Sequence, residues 1–484
     1  MSLSTLARYG LSGRGLLGAA ARPLGAAATA ARPLGAPPAR PLGPPPARPL
    51  GSLSCRRRPG QWPARTGPRP TALPSRGYPT ARAAPLPGAG CQVSALGARD
   101  EERLLEVVWG DGERSLYPYT WLRDNCQCAA CTLQSARARS LLLSQLDVHT
   151  GLREVALAGD NQVSILWPDD HVSRFELQWL RRRCFSPAAR RAMQEELFIN
   201  ERRHWDSGLL IPSASFEEVL TDDKAALDWL LALRRVGVVY LRGAPSERGQ
   251  VARLSERIGF LRLTFYGPTW QVQDKAMAVN VAYTAGDLSL HTDYPALHHP
   301  PGVQFLHCIQ QAEQGGESQV VDGFHMAEVL RREDPQAFQT LSSLRVDFSD
   351  MGEDYCDFRV HSKNHIIDVD CEGQVSRINY NNATRDSVLD LPLDQVQEFY
   401  RALKAYVDIM NRPTNVVTYR MEPGDIVTFD NWRLLHGRQS YTSSSGKRRH
   451  LEGAYLDWDE VMSRLRILRH AVGREDGTEP PASS

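Results

Sequence analysis

No acidic residue occurs before Asp100, and that fact divides the chain into a part expected to fold and a part expected not to. Residues 1–99 hold 14 arginines and no lysine, and repeat "ARPLG" from Ala21, Ala31, Ala39 and Ala47 in a background of Pro, Ala and Gly. Such a segment has no apolar face to bury and reads as a disordered low-complexity extension. Gly13, Gly15 and Gly18 match a dinucleotide fingerprint in spacing only, because no apolar strand precedes them and no helix can run through Pro23. Beyond the extension the chain carries 43 basic against 56 acidic residues, although its overall charge is +1. A net-acidic core does not suit a phosphate backbone, so no nucleic-acid partner is expected, and a nucleic-acid adaptor would have to act through the tail alone. The longest apolar candidate, "GLLGAAARPLGAAATAA", is broken by Arg22 and Pro23, so no membrane span is expected. Nine cysteines in 484 residues point to a reducing compartment and to metal binding ahead of a disulfide framework.

From about Leu104 the texture changes to alternating apolar and polar residues. "RLLEVVWG", the turn Asp111-Gly112 and "RSLYPYTWL" read as a hairpin in a small β-rich unit ending near Cys184. Helices are expected over "PAARRAMQEELFIN" after Ser186 and over "DDKAALDWLLALRRVG", the latter passing through Gly237 into the strand "VGVVYL". Val396, Phe399, Leu403, Val407 and Met410 mark one face of a long helix closed by Pro413. Short β-rich runs, "VVTYR", "DIVTFD" and "EGAYLDW", surround the polar motifs. An antiparallel double-sheet core with helices outside it fits this order best.

Two clusters carry metal chemistry. Cys126, Cys128 and Cys131 fall within six residues of "LRDNCQCAACTL", a spacing that lets three thiolates meet one tetrahedral ion. His149 and His171 are the local candidates for a fourth ligand. His171 is preferred, because "WPDDHVSRF" places it in a turn between two strand-like runs that could fold back on the cysteine loop. Four protein ligands would make this a structural zinc site. The second cluster begins with His291-Thr-Asp293. A His-x-Asp pair is weak by itself, and this chain has another at His204-Trp-Asp206. Its weight comes from "GDIVTFDNWRLLHGRQSY", where a strand runs into His436, and from Arg449 beyond it. A non-haem Fe(II) oxygenase needs two imidazoles and one carboxylate on one face of the ion, leaving positions for a 2-oxo acid and dioxygen. It also needs a cation for the far carboxylate of the co-substrate, and an arginine fork supplies one.

Beyond the triad, "SLYPYTWLRDNCQCAAC", "LTFYGPTWQVQDK", "NVAYTAGDLSLHTDYPALHHPPGVQFLHC", "INYNNATRD", "FDNWRLLHGR" and "RHLEGAYLDWDEVMSRLRILR" resemble the gamma-butyrobetaine hydroxylase and trimethyllysine dioxygenase family of Fe(II)/2-oxoglutarate oxygenases, from about Val107 to the end. The resemblance implies an α+β chain with a mainly β core: a double-stranded β-helix (jelly roll) catalytic domain with flanking helices over 186–484, preceded by a small β-rich zinc-binding domain over 100–185. It implies iron on His291, Asp293 and His436, zinc on Cys126, Cys128, Cys131 and His171, and 2-oxoglutarate on Arg449. It further implies an aromatic cage of Tyr266, Trp270, Tyr283 and Tyr455 for a quaternary ammonium, which cannot donate a hydrogen bond and is best held by ring faces. Asn280 and Asn381 would meet the substrate carboxylate. The implied reaction is hydroxylation of gamma-butyrobetaine at C3 to L-carnitine, with release of succinate and CO2 and with ascorbate as reductant. Trimethyllysine is the alternative substrate, but its α-ammonium would favour an acid where Asn280 offers a neutral amide. A jelly-roll binding protein with a purely structural metal is the non-catalytic alternative.

The family also implies a homodimer. The N-terminal extension departs from the family pattern and bears on location. Its opening, "MSLSTLARYGLSGRGLLGAA", has the composition of a mitochondrial transit peptide, whereas the Pro-rich repeats that follow are hostile to an amphipathic helix. Cytoplasm is the expectation, with mitochondria as the alternative.

Overall fold

The computed structural model describes residues 92–159, 161–273, 281–442 and 448–475. The N-terminal module consists of two antiparallel three-stranded sheets, each followed by a one-and-a-half-turn helix. The first sheet comprises Val93–Arg99, Leu104–Trp109 and Arg114–Pro118, leading into the helix Tyr119–Asp124. The second comprises Glu154–Ala158, Gln162–Leu166 and Val172–Glu176, leading into the helix Leu177–Arg182. Alternate residues of both sheets, among them Leu105, Val107, Val163 and Ile165, form a core of their own with Trp109, Trp167, Leu122 and Leu180.

The module is built from two copies of one unit, a relation the sequence reading did not find. A single offset along the chain carries Trp109 to Trp167, Asp111 to Asp169, Ser115 to Ser173, Arg123 to Arg181 and Cys126 to Cys184. Each indole donates to the serine of its own copy, Trp109 to Ser115 and Trp167 to Ser173, both at 2.8 Å. Other contacts cross between copies: Arg123 pairs with Asp169 and Arg181 with Asp111, while Ser115 bonds Cys184 and Ser173 bonds Cys126. Trp121 and Trp179 meet at the centre, their ring centroids 5.4 Å apart.

Two expectations need correction here. The strand Val93–Arg99 lies inside the segment read as disordered extension; Val93 and Leu96 pack on the module core, but small residues between them hide the alternation. "YTWL" belongs to a helix and does not continue the hairpin, because Tyr119 and Leu122 bury one helical face once Pro118 has ended the strand.

The catalytic region is a pair of facing sheets. The larger has the order Thr269–Gln273, His450–Leu456, Val303–Gln310, Ile426–Asp430, Val238–Arg242, Ser213–Ser215, antiparallel except for the last pair. The smaller has the order Leu288–His291, Leu434–Arg438, Ser318–Asp322, Val417–Tyr419, antiparallel throughout. This is the expected jelly roll. Helices cover it outside: Asp223–Val236 and Trp458–Glu475 pack against each other beside the larger sheet, and Gly323–Glu333, Pro335–Ser343 and Leu393–Met410 form a second group. The helices expected after Ser186 and before Gly237 are present, and in both the residue before the helix caps it with its side chain, Ser186 to Ala189 N and Asp222 to Ala225 N. Gly237 ends the second at φ +91°, where a side chain would be strained and would crowd Arg433. "EGAYLDW" is strand only to Leu456, after which the helix starts at Trp458.

The two sheets are joined by the turn Asp430-Asn431-Trp432-Arg433. Arg433 is fully buried and grips Asp322, also fully buried, with two parallel bonds of 2.9 and 2.7 Å. Its remaining donors meet Arg235 O and Arg203 O, and Asp322 caps the helix Gly323–Glu333. A buried charge that loses its partner keeps its full desolvation cost, so Arg433→Leu is expected to destabilise the fold by about 3–5 kcal/mol. Urea unfolding measures this; an unchanged midpoint would refute the role assigned to the pair.

Candidate active site

His291 ends its strand directly opposite His436 on the neighbouring strand, and cross-strand partners project to the same face of a sheet. Their ring centroids are 4.3 Å apart. Asp293 follows two residues later, where the chain is leaving the sheet. Its position is set from three sides: its N–H donates to Asn431 Oδ1 at 2.8 Å, Thr292 is bonded to Tyr380 N at 3.0 Å, and Tyr455 donates its hydroxyl to Asp293 Oδ2. The next residue, Tyr294, sits at φ +63°, a strained conformation for a bulky residue and one that few non-glycine residues adopt among the described ones. Asp293 Oδ1 lies 3.2 Å from His291 Nε2 and 3.8 Å from His436 Nε2. Ligands at right angles on one ion with bonds near two ångströms are about 3 Å apart, so the three atoms fit one face of an octahedral ion with little adjustment.

The electrostatics set the protonation of the three side chains differently. Burial would raise the Asp293 carboxyl, but the hydrogen bond from His291, the charges of both imidazoles and the Tyr455 hydroxyl hold it well below the usual carboxylate range. Burial and repulsion from His291 push His436 down to about 3, so it presents a neutral ring. Burial opposes charge on His291 too, yet the bond and charge of Asp293 outweigh it and raise its pKa. Its Nδ1 bonds Ser289 O at 2.8 Å, which turns Nε2 toward the cluster.

These residues line a cavity of about 250 Å³. Tyr266, Trp270, Tyr283 and Tyr455 line it as well, Trp270 stacked on Tyr455 at 4.1 Å and Tyr266 edge-on to Tyr283 at 6.3 Å. Gly453 lies across from Trp270, and a Cβ there would come within 2.4 Å of the indole. Asn381 also lines the cavity; its Oδ1 accepts from Ala383 N, so its amide N–H groups are the donors it can offer a ligand. Asn280 lies outside the described residues. Arg449 is buried on the cavity wall, with no carboxylate partner among the described residues and with Nε unbonded. Burial and the neighbouring Arg438 lower it only to about 10, so it remains a cation in need of an anion. Tyr294 and Asp350 line the same cavity and were not found from sequence. Tyr294 could have been suspected from its place beside Asp293, whereas nothing local marks Asp350. The other His-x-Asp pair is elsewhere: His204 stacks on His325 and lines a different cavity.

In the N-terminal module, Cys126, Cys128, Cys131 and His171 converge. Their sulfurs lie 3.2, 3.7 and 3.6 Å from His171 Nε2. A tetrahedral zinc with ordinary Zn–S and Zn–N bonds would set that separation at about 3.5 Å, so the four atoms suit such an ion. His149 instead contacts Arg103. Iron(II) affinity of the triad is expected to fall about tenfold per pH unit below the raised pKa of His291, because one proton must be displaced and His436 contributes none until about pH 3. Anaerobic titration across the weakly acidic range measures the slope; a loss of a hundredfold per unit would mean that both imidazoles are protonated.

Residues 207–455 match the family described as Taurine catabolism dioxygenase TauD, TfdA family, and residues 97–181 match Gamma-butyrobetaine hydroxylase-like, N-terminal. The chain is 56% identical over 382 residues to Gamma-butyrobetaine dioxygenase of Homo sapiens, covering 79% of this chain and 98% of that protein. It is 34% identical over 365 residues to Gamma-butyrobetaine dioxygenase of Pseudomonas sp. (strain AK-1), covering 75% and 94%. It is 29% identical over 385 residues to Trimethyllysine dioxygenase of Meyerozyma guilliermondii, covering 77% and 94%. With the jelly roll, the facial cluster of two imidazoles and a carboxylate, and the buried arginine in the same cavity, these matches place the chain in the gamma-butyrobetaine hydroxylase family of Fe(II)- and 2-oxoglutarate-dependent dioxygenases.

Proposed function

We propose that this enzyme hydroxylates gamma-butyrobetaine at C3 to give L-carnitine. The observation that carries the reading is one cavity that combines the His291, Asp293, His436 cluster with a four-ring aromatic wall and the Asn381 amide. Rings hold a trimethylammonium and amide donors hold a carboxylate, so a short zwitterion is anchored at both ends with a middle methylene toward the metal. The identity of 56% to a protein named for this substrate supports it, against 29% to one named for trimethyllysine.

Iron, 2-oxoglutarate and dioxygen together supply the oxidant, 2-oxoglutarate leaving as succinate and CO2. Arg449 fixes the far carboxylate of the co-substrate from a buried position, so that its charge is little screened. Tyr455 forms a wall of the cage and also clamps Asp293 Oδ2, leaving Oδ1 for the metal. Its own hydroxyl is held far above its ordinary pKa, by burial first and by Asp293, so it stays a donor. Residues 100–185 serve as a zinc-stabilised module, with Cys126, Cys128, Cys131 and His171 as ligands, and 186–484 as the catalytic domain. A homodimer in the cytoplasm with ascorbate as reductant completes the reading, on the strength of the family resemblance.

The test is succinate release by the full chain with Fe(II), 2-oxoglutarate and ascorbate, comparing gamma-butyrobetaine with trimethyllysine. Coupled turnover with butyrobetaine is expected, and a preference for trimethyllysine would overturn the substrate. Arg449→Gln is expected to raise the KM for 2-oxoglutarate on the order of 100-fold. Gly453→Ala, by displacing Trp270, should raise the KM for butyrobetaine about tenfold with iron content unchanged. His171→Ala should remove one equivalent of zinc, read by elemental analysis of the purified protein.

A further inference from the structure

Asp350 is a carboxylate in this cavity that neither the metal nor 2-oxoglutarate calls for. It lies on a long hairpin, Arg345–Glu353 with Asp357–His365, in register with Val360. The hairpin is docked over the cage: Tyr355 N donates to Phe265 O at 3.1 Å, and Phe358 packs on Phe265 and Tyr266 with ring centroids 5.3 and 5.4 Å apart. Asp350 accepts hydrogen bonds from Met351 N and from the Tyr266 hydroxyl, and no Lys, Arg or His pairs with it among the described residues. Burial raises its pKa, and the nearby charge of Asp293 adds to the effect. A carboxyl held among rings without a counter-ion is a costly group to bury, and a bound cation removes the cost.

We propose that Asp350 is the counter-charge of the cage and sets the preference for a permanently charged ammonium head group over an uncharged one of equal shape. The proposal rests on the substrate reading above and adds to it the residue that discriminates charge. Rings alone give a modest advantage to a cation, whereas a carboxylate behind one of them adds a Coulomb attraction that an uncharged group does not feel. The Tyr266 hydroxyl, donating to Asp350, transmits part of that charge to the ring that faces the ligand. Asp350 acts as a specificity-determining residue and takes no part in the oxidation.

The experiment compares the iron-loaded wild type with Asp350→Asn and Asp350→Glu. The substrates are gamma-butyrobetaine and its uncharged isostere, in which a tert-butyl group replaces the trimethylammonium. Asp350→Asn should lower kcat/KM for butyrobetaine at least tenfold and leave turnover of the isostere unchanged, while Asp350→Glu keeps the preference. An equal loss with both substrates, or loss of the fold, would make Asp350 a structural residue and overturn the proposal, as would no change with either. Calorimetric titration with tetramethylammonium and with tert-butanol reads the same preference without turnover. If the wild type turns over neither substrate but binds tetramethylammonium in an Asp350-dependent way, the substrate reading fails and the charge-selecting role stands. Equal binding of tetramethylammonium by wild type and Asp350→Asn sinks the role itself.

Discussion

The geometry of the active site depends on the buried pair Arg433–Asp322. Arg433 belongs to the turn that carries the chain from the larger sheet to the smaller, and Asp322 ends the strand beside His436. Fixing that turn does two things within a few residues. It sets the register in which His436 faces His291, and it places Asn431, which holds the backbone on both sides of Asp293 with its amide. Two of the three metal-facing side chains are thereby positioned by a structure that never touches the metal. The cost of burying an ion pair is accepted in a place where position matters more than stability.

Charge in the cavity is arranged by function. Arg449 is a buried cation with no carboxylate partner among the described residues, Asp293 is an anion surrounded by donors, and Asp350 is bonded to the Tyr266 hydroxyl of the aromatic wall. Each unpaired or over-paired group marks a place where something other than protein is to be accommodated. Tyr455 links two of these places, because the hydroxyl that orients Asp293 belongs to a ring stacked on Trp270. A ligand that shifts this ring also shifts the carboxylate.

Much of this was legible in the sequence, for unequal reasons. The zinc-type cluster was readable because three of its ligands are local and the fourth sits in a turn that alternation on either side announces. His291 and His436 were joined by the ligand set that a non-haem iron oxygenase needs and by the family pattern, since what unites them in space is strand register between segments far apart in the chain. The long helices were plain from spacing and caps. The helix Tyr119–Asp124 was not, because a proline and aromatic residues give it the composition of a strand. Asp350 was invisible for a physical reason: its significance comes from a hairpin docked on Tyr266, and nothing beside it in sequence differs from an ordinary exposed strand.

The doubled construction of the N-terminal module has a consequence of its own. The offset relates Cys128 to Ser186, Cys131 to Ala189 and Glu113 to His171, so one contact between the copies joins three cysteines of the first to His171 of the second, while in the other Glu113 faces Arg181. One contact is therefore made by soft, oxidisable side chains together with the Arg123–Asp169 pair, and the other by the Arg181 ion pairs and a buried Ser115–Cys184 contact. Each contact draws on both copies, so parting the copies breaks the two together. An oxidant acting on the thiols and high ionic strength acting on the ion pairs converge on the same structural failure, although they attack different bonds.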